Sequence, residues 1–322
     1  MPIPTGSAAI SFSQIRTEMN GGSGGAFPSA ATPTAPQGTA MPLNNATFRS
    51  RLTDTAVNAT LSLSSLRGNA YLRFTIAANT ATTYDIRSAL AGAGWNTTSK
   101  GSADVVVNSG VVVGIGSTGS YAMDTGAAPL WPSPSTITVI NNGTIVGMGG
   151  AGGNGGPSPN PSFSTAGAAG GPALRAQRAM TLVNSGTIGG GGGGGGGGNG
   201  RAYTAPIGGN NVPFGNGGGG GGGGRSSNTN SAKGLRGQGG GANPDDGRDG
   251  TDGTFAAAGT GGIGGEAGPT DGHRGGDGGG RGAAGNPSPG AGKAGGAAGV
   301  AIQGWSAVTV LTTGTISGPT VG

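Results

Sequence analysis

Two uninterrupted glycine runs, Gly189–Gly198 and Gly217–Gly224, constrain this chain more than any other feature. Glycine has no side chain, so such a run buries no apolar core and positions no reactive group. Two states are open to it. It stays a solvated coil, or its bare backbone packs against other backbones as a polyproline-II-type helix. The first is a linker and the second is a rigid platform.

A polyproline-II-type helix has about three residues per turn and no internal hydrogen bonds, so its amides must bond to neighbours or water. Residues three apart then share an edge. In Met148-Gly-Gly-Ala-Gly-Gly-Asn-Gly-Gly-Pro157 every non-glycine residue falls on one edge. Thr260-Gly-Gly-Ile-Gly-Gly-Glu266 and Arg274-Gly-Gly-Asp277 keep the same spacing. Such segments pack on two edges and display side chains on the third. The two pure runs display nothing and are expected at the centre of the packing. Ordering a residue costs about 1–2 kcal/mol, and a hydrogen bond returns about 0.5–1.5 kcal/mol net. An isolated glycine helix therefore melts, and only an array of shared ladders clamped to a folded base persists. Collagen needs an unbroken glycine at every third position. Asp246-Gly-Arg-Asp-Gly-Thr-Asp-Gly253 obeys that for a few triplets and then stops.

Of the 80 glycines, 61 lie between Gly147 and Gly304. The remainder has enough Val, Ile and Leu for a modest β core. Tyr71–Ile76 alternates apolar and polar residues, as a half-buried strand does. Tyr84–Leu90 is expected to form a short helix, with Ile86 and Leu90 four apart. One unit then recurs: Val105-Val-Val-Asn-Ser-Gly-Val-Val-Val-Gly114, Thr138-Val-Ile-Asn-Asn-Gly-Thr-Ile-Val-Gly147, Thr181-Leu-Val-Asn-Ser-Gly-Thr-Ile-Gly-Gly190 and Thr309-Val-Leu-Thr-Thr-Gly-Thr-Ile-Ser-Gly318. Glycine at a fixed place is expected to supply the positive φ of a tight bend. Four copies predict stacked β-arches or hairpins sharing one core. The copies bracket the glycine-rich stretches, so the chain leaves a β base, builds from glycine and returns.

The expected fold is therefore mainly β plus polyglycine-II helices, with a β base of strand-turn-strand units and a glycine-rich packed-helix tip. The expected division is an N-terminal attachment arm over 1–69, a β-rich base over 70–147, the glycine-rich tip over 148–306 with a strand pair near 180–190, and a strand pair over 307–322 that returns to the base. In the arm, Ile10-Ser-Phe-Ser-Gln-Ile-Arg16 and Leu61-Ser-Leu-Ser-Ser-Leu-Arg67 flank a stretch rich in Pro and Gly, which suits either docking onto another chain or a partly ordered tail.

Little here points to chemistry. Net charge is +5, and residues 147–304 hold ten basic and seven acidic residues, scattered. Nucleic-acid binders cluster basic residues along one face, so no nucleic-acid partner is expected. There is no cysteine, hence no disulfide framework or thiolate metal site. His273, the one histidine, has no partner placed to make it a general base. Asp245, Asp246, Asp249 and Asp252 match neither an EF-hand nor a calcium-binding β-helix repeat, and a solvated acidic turn is expected. No enzyme activity, metal or cofactor is expected. The N-terminus lacks a basic region followed by an apolar one, and no apolar run approaches the ~18 residues of a membrane span. Synthesis in the cytoplasm without a signal peptide is the expectation.

Side chains able to read a partner lie between the glycine segments: Phe163, Arg201, Tyr203, Phe214 and Arg225, in connectors 158–166, 201–214 and 225–233. Aromatics and arginines on exposed loops are what binding hot spots use; the alternative is that these residues tuck under the packed segments and plug their ends. Tyr203→Ala with Phe214→Ala is expected to abolish binding without altering the melt.

A strand, then Asn-Asn-Gly-Thr-Ile-Val-Gly147, then Gly-Gly-Ala-Gly-Gly-Asn-Gly-Gly resembles the receptor-binding adhesins of tailed bacteriophages, above all the distal long-tail-fibre adhesins of T-even-like phages. The resemblance covers about residues 104–318. It implies a virion protein of the tail or tail fibre, with a sandwich of polyglycine-II helices whose connecting loops touch a bacterial outer-surface receptor, protein or polysaccharide. It implies other phage tail or fibre proteins as partners, and leaves a homotrimer open. The alternative is a structural tail or decoration protein that braces its neighbours.

Overall fold

The computed structural model describes residues 70–92, 101–126, 131, 135–158, 163–208, 210–241, 244–266, 270–290 and 292–322. The arm expected over 1–69 lies outside them. The described chain is mostly β, with one short α-helix, α1 (Ile86–Gly92).

Each Asn-x-Gly unit bends the chain between two strands that do not pair with each other. They pair instead with the same strands of the coils above and below, so the units are arches and not hairpins. Five coils result. The first holds β1 (Ala70–Ile76) and β2 (Tyr84–Asp85). The second holds β3 (Gly101–Val107), β4 (Val112–Gly114) and β5 (Met123–Asp124). The third holds β6 (Thr136–Asn141), β7 (Thr144–Val146) and β8 (Leu174–Arg175). The fourth begins with β9 (Met180–Asn184) and β10 (Thr187–Gly189). Strands β11 (Arg201–Ile207), β12 (Asn210–Asn216) and β13 (Gly240–Gly241) intervene before it closes with β14 (Ile302–Gln303). The fifth holds β15 (Val308–Thr312), β16 (Thr315–Ser317) and β17 (Thr320–Val321). Three all-parallel sheets wrap one core, ordered β1-β3-β6-β9-β15, β4-β7-β10-β16 and β2-β5-β8-β14-β17.

Register stacks like on like. Val105, Val139, Leu182 and Val310 form one column, and Val113, Ile145, Ile188 and Ile316 another. Met123, Leu174 and Ile302 form the third. Ile86 and Leu90 of α1 join the same core. Each fully buried aliphatic contributes about 1.5–3 kcal/mol. At the bend the buried Asn141 and Asn184 stack, with Asn141 Nδ2 donating to Asn184 Oδ1 at 2.8 Å and Asn184 Nδ2 to Thr315 O at 3.3 Å. The bend glycines depart from expectation. Only Gly110 has a positive φ, 79°. At Gly143 a Cβ would overlap Asn108 O and Val111 O, and at Gly186 it would overlap Gly143 O. Glycine is needed there because the coil below comes too close for a side chain.

The chain leaves this solenoid twice at the same corner, after β7 and after β10. Ten segments then pack side by side, alternating in direction: 148–158, 164–171, 190–200, 217–226, 231–238, 245–254, 258–266, 272–280, 283–288 and 293–300. Apart from isolated bridges they are neither helix nor strand. Their hydrogen bonds repeat every third residue. Gly191, Gly194 and Gly197 donate to Gly171, Ala168 and Thr165, and Gly192, Gly195 and Gly198 donate to Arg225, Gly222 and Gly219. Gly193 and Gly196 donate to Ala283 and Asn286. The run's carbonyls accept from Gly150, Gly153 and Gly156, from Gly276 and Gly279, and from Lys293, Gly296 and Gly299. Six segments thus surround the first run.

The second run is bonded in the same way by 150–156, 192–198, 234–237, 245–254, 259–265 and 273–279. Both runs are buried throughout. A Cβ at any position from 190 to 198 would overlap a neighbouring carbonyl group. The other eight segments form a rim and turn side chains outward every third residue, such as Asn154, Thr260, Glu266 and Arg274.

At the rim, side chains replace the missing neighbour. The N–H groups of Lys233, Arg236 and Gly239 donate to Asp252, Asp249 and Asp246 Oδ1 at 2.9, 3.0 and 2.9 Å. Lys233 and Arg236 add ion pairs to Asp249 and Asp246 at 3.3 and 3.4 Å. These aspartates form a ladder along a rim segment, not the acidic turn expected.

Candidate functional site

The alternating segments give the array two ends. At the near end Ser227 Oγ donates to Ile115 O at 2.7 Å and Asn228 Nδ2 to Thr80 O at 2.6 Å, which seats the turn on the solenoid. At the far end the chain passes from segment to segment between 158 and 164, 200 and 217, 238 and 245, 266 and 272, and 288 and 293.

The most developed far-end connector is a β-hairpin. Strands β11 and β12 pair antiparallel from Arg201↔Asn216 to Ile207↔Asn210, and β13 extends the sheet through Phe214↔Gly241. A two-residue loop with two glycines suits the turns that hairpins prefer, and Gly208 has φ 59°. Ile207-Gly-Gly-Asn210 carries a hairpin signal that reading 201–214 as a plain connector passed over.

Alternation puts Tyr203, Ile207, Val212 and Phe214 on one face. Tyr203 and Phe214 are directly opposite, with stacked rings. Exposure rises from root to tip: Phe214 is 7% exposed, Tyr203 and Val212 are half-buried, and Ile207 is 54% exposed. At the root, Ser158 Oγ donates to Arg201 O at 3.1 Å. Arg201 is exposed and its charge reaches His273. Burial, with that charge added, pushes the His273 pKa below the ordinary imidazole value.

Phe163 sits in another far-end connector and is 65% exposed. Phe163, Arg201, Tyr203 and Phe214 therefore share the far end. Arg225 does not: it closes the second glycine run at the near end, where its Nε donates to Phe255 O at 3.1 Å. Phe214 is mostly buried under its own hairpin, so it props Tyr203 instead of facing solvent. Its removal would alter the melt, contrary to the expectation for the double substitution.

Among the described residues no group of three or more His, Cys, Asp or Glu could hold a metal ion, and no helix is long and apolar enough to cross a membrane.

A solenoid base, a backbone-packed array and a hairpin with an exposed apolar tip define a scaffold for surface recognition. The family model of the phage tail fibre adhesin Gp38 matches residues 72–321, and the chain belongs to that family. It is a phage tail fibre adhesin, and its place is the tail of the virion. The fold is also similar to the crystal structure of the gp37-gp38 adhesin tip complex of the bacteriophage S16 long tail fibre. Identity is 22%, the TM-score is 0.54, and the match covers 84% of this chain and 90% of that one. No curated protein sequence matches the chain.

Proposed function

We propose that the ten glycine-rich segments are polyglycine-II helices forming a rigid tip, and that the far-end connectors read a receptor on the bacterial outer surface. The three-residue hydrogen-bond period and the six neighbours around each pure run support the first part, because a helix of three residues per turn presents its amides in that order. The hairpin carries the second part. Its apolar face is stacked and anchored at the root and open at Ile207. A pre-organised surface loses little conformational freedom on binding, and exposed aromatic and aliphatic groups on it supply contact area. Arg201 lies on the same hairpin and Phe163 on another far-end connector, and the reading assigns no catalysis to them.

The similar structure is a complex of two fibre proteins. By analogy this chain docks onto a second fibre protein, and residues 1–69 are the proposed arm. Purified protein should bind sensitive bacteria and block adsorption of the phage. Tyr203→Ala and Ile207→Asp should each reduce this sharply without changing the melt. Full blocking by both variants would exclude the hairpin and favour a bracing role. Removing residues 1–69 should leave a folded protein that is missing from virions; normal incorporation would refute the arm.

A further inference from the structure

Two arginines from different segments converge at the near end of the array. Arg225 Nε and Arg281 Nη2 each donate to the same oxygen, Phe255 O, at 3.1 Å. The Arg281 guanidinium carbon lies 4.2 Å from the centre of the Phe255 ring, a cation–π contact. Arg281 Nε is buried and has no hydrogen-bond partner. Neither guanidinium has a carboxylate partner among the described residues, whose ion pairs are made by Arg175, Lys233, Arg236 and Arg274. Burial, with the Arg225 charge beside it, pushes Arg281 down to about 10.

Backbone holds both residues in place. Arg225 N donates to Gly279 O at 2.8 Å, and Arg225 O accepts from Gly192 N at 2.9 Å. Arg281 opens a turn whose next residue, Gly282, has φ 61° and donates to Gly190 O at 2.8 Å. Its side-chain stem runs 3.6 Å from where a Cβ on Gly189 would sit. Two half-buried like charges thus share one carbonyl. A guanidinium offers five donors, and each of these makes one side-chain hydrogen bond among the described residues. Uncompensated buried charge is costly, and an anion between the two would relieve it.

We propose that Arg225 and Arg281 form an oxyanion site that takes a phosphate group, at the end of the array opposite the hairpin. The guanidinium fork matches phosphate geometry and bonds it in pairs, and two cations balance a dianion. The site is independent of the receptor surface, since the array separates them. The phosphate is either free in the medium or a monoester on a sugar of the bacterial surface.

The test uses the full-length protein and thermal melts at matched ionic strength in chloride, inorganic phosphate, glucose 6-phosphate or glucose. Phosphate and glucose 6-phosphate should raise Tm above chloride, and glucose should not. Anions such as phosphate also stabilise proteins without binding, so the diagnostic increment is the one lost in Arg225→Gln and Arg281→Gln. A larger increment with glucose 6-phosphate assigns the site to a sugar phosphate, and equal increments assign it to free phosphate. Arg281→Gln also removes the ring contact, so a second readout needs no variant. In the wild-type protein, phosphate should shift the Arg281 Nε–H resonance. An increment that survives in both variants, or an Arg281 signal that phosphate leaves in place, overturns the site and makes the arginines a clamp on the Phe255 turn.

Discussion

Tyr203 and Phe214 face each other across the far-end hairpin with ring centroids 5.2 Å apart and planes 11° from parallel. One ring is half-buried and the other almost fully buried, so the pair splits into a contact surface and its support. Tyr203→Ala should reduce binding to sensitive cells and leave Tm near wild type. Phe214→Ala should also destabilise the protein, by about 3 kcal/mol or more. Equal stability of the two variants in denaturant titrations would contradict this division.

The centre and the rim of the array should respond oppositely to added side chains. At Gly194 a Cβ would overlap Ala151 O, while at Gly280 nothing lies within 4 Å. Gly194→Val should cost about 3 kcal/mol or more, as overpacking against backbone does. Gly280→Ala should stay within about 0.5 kcal/mol of wild type. Thermal melts of the two variants decide it, and a tolerated valine at 194 would refute the central packing.

The stacked asparagines should matter more than their size suggests. Asn184 accepts from Asn141 and donates to Thr315 O inside the solenoid. Asn184→Leu leaves both groups without that partner, at about 1–3 kcal/mol. The fall should appear in the urea midpoint, and an unchanged midpoint would remove the ladder's role.

At its paired aspartates, acid should loosen the structure only below the ordinary carboxylate range. At Asp249 the Arg236 N–H bond lowers the pKa; burial opposes it and Lys233 adds to it. At Asp124 burial works to raise the pKa, but hydrogen bonds from Arg175, Gln177 and the Gly126 N–H together outweigh it, and the net shift is downward. An unfolded Asp titrates near pH 3.9. Both folded values lie lower, so their stabilisation is present above about pH 4 and is lost as pH falls through the folded values. Tm should slip modestly as pH falls through the ordinary imidazole range, where unfolded His273 gains a proton that the folded residue resists, and should decline more steeply below about pH 4. Asp249→Asn should make the decline shallower, and an equal slope would show the ladder to be neutral.

Much of this architecture was legible because it rests on local periods. The Asn-x-Gly repeats marked the coils, the spacing of three marked the rim, and the absence of side chains marked the centre. Arches and hairpins were indistinguishable, because the choice depends on partners in other coils. The third sheet was invisible: its strands are two residues long, too short for any alternation. The Asp246, Asp249 and Asp252 ladder was missed since its acceptors serve amides on a segment earlier in the chain. Arg225 was grouped with Arg201 because a connector's end of the array follows from the number of reversals before it.

The two central runs carry no phase. A rim segment that slides by one residue turns its outward side chains into backbone, so Asn154 or Asp249 pins its position along the array. Gly189–Gly198 and Gly217–Gly224 present the same bare surface after every such step. Their place is therefore set from outside, by the coil that precedes the first run, the hairpin that joins them and the turn at Arg225. The centre of the array is its most tightly packed part and the one least able to specify its own alignment.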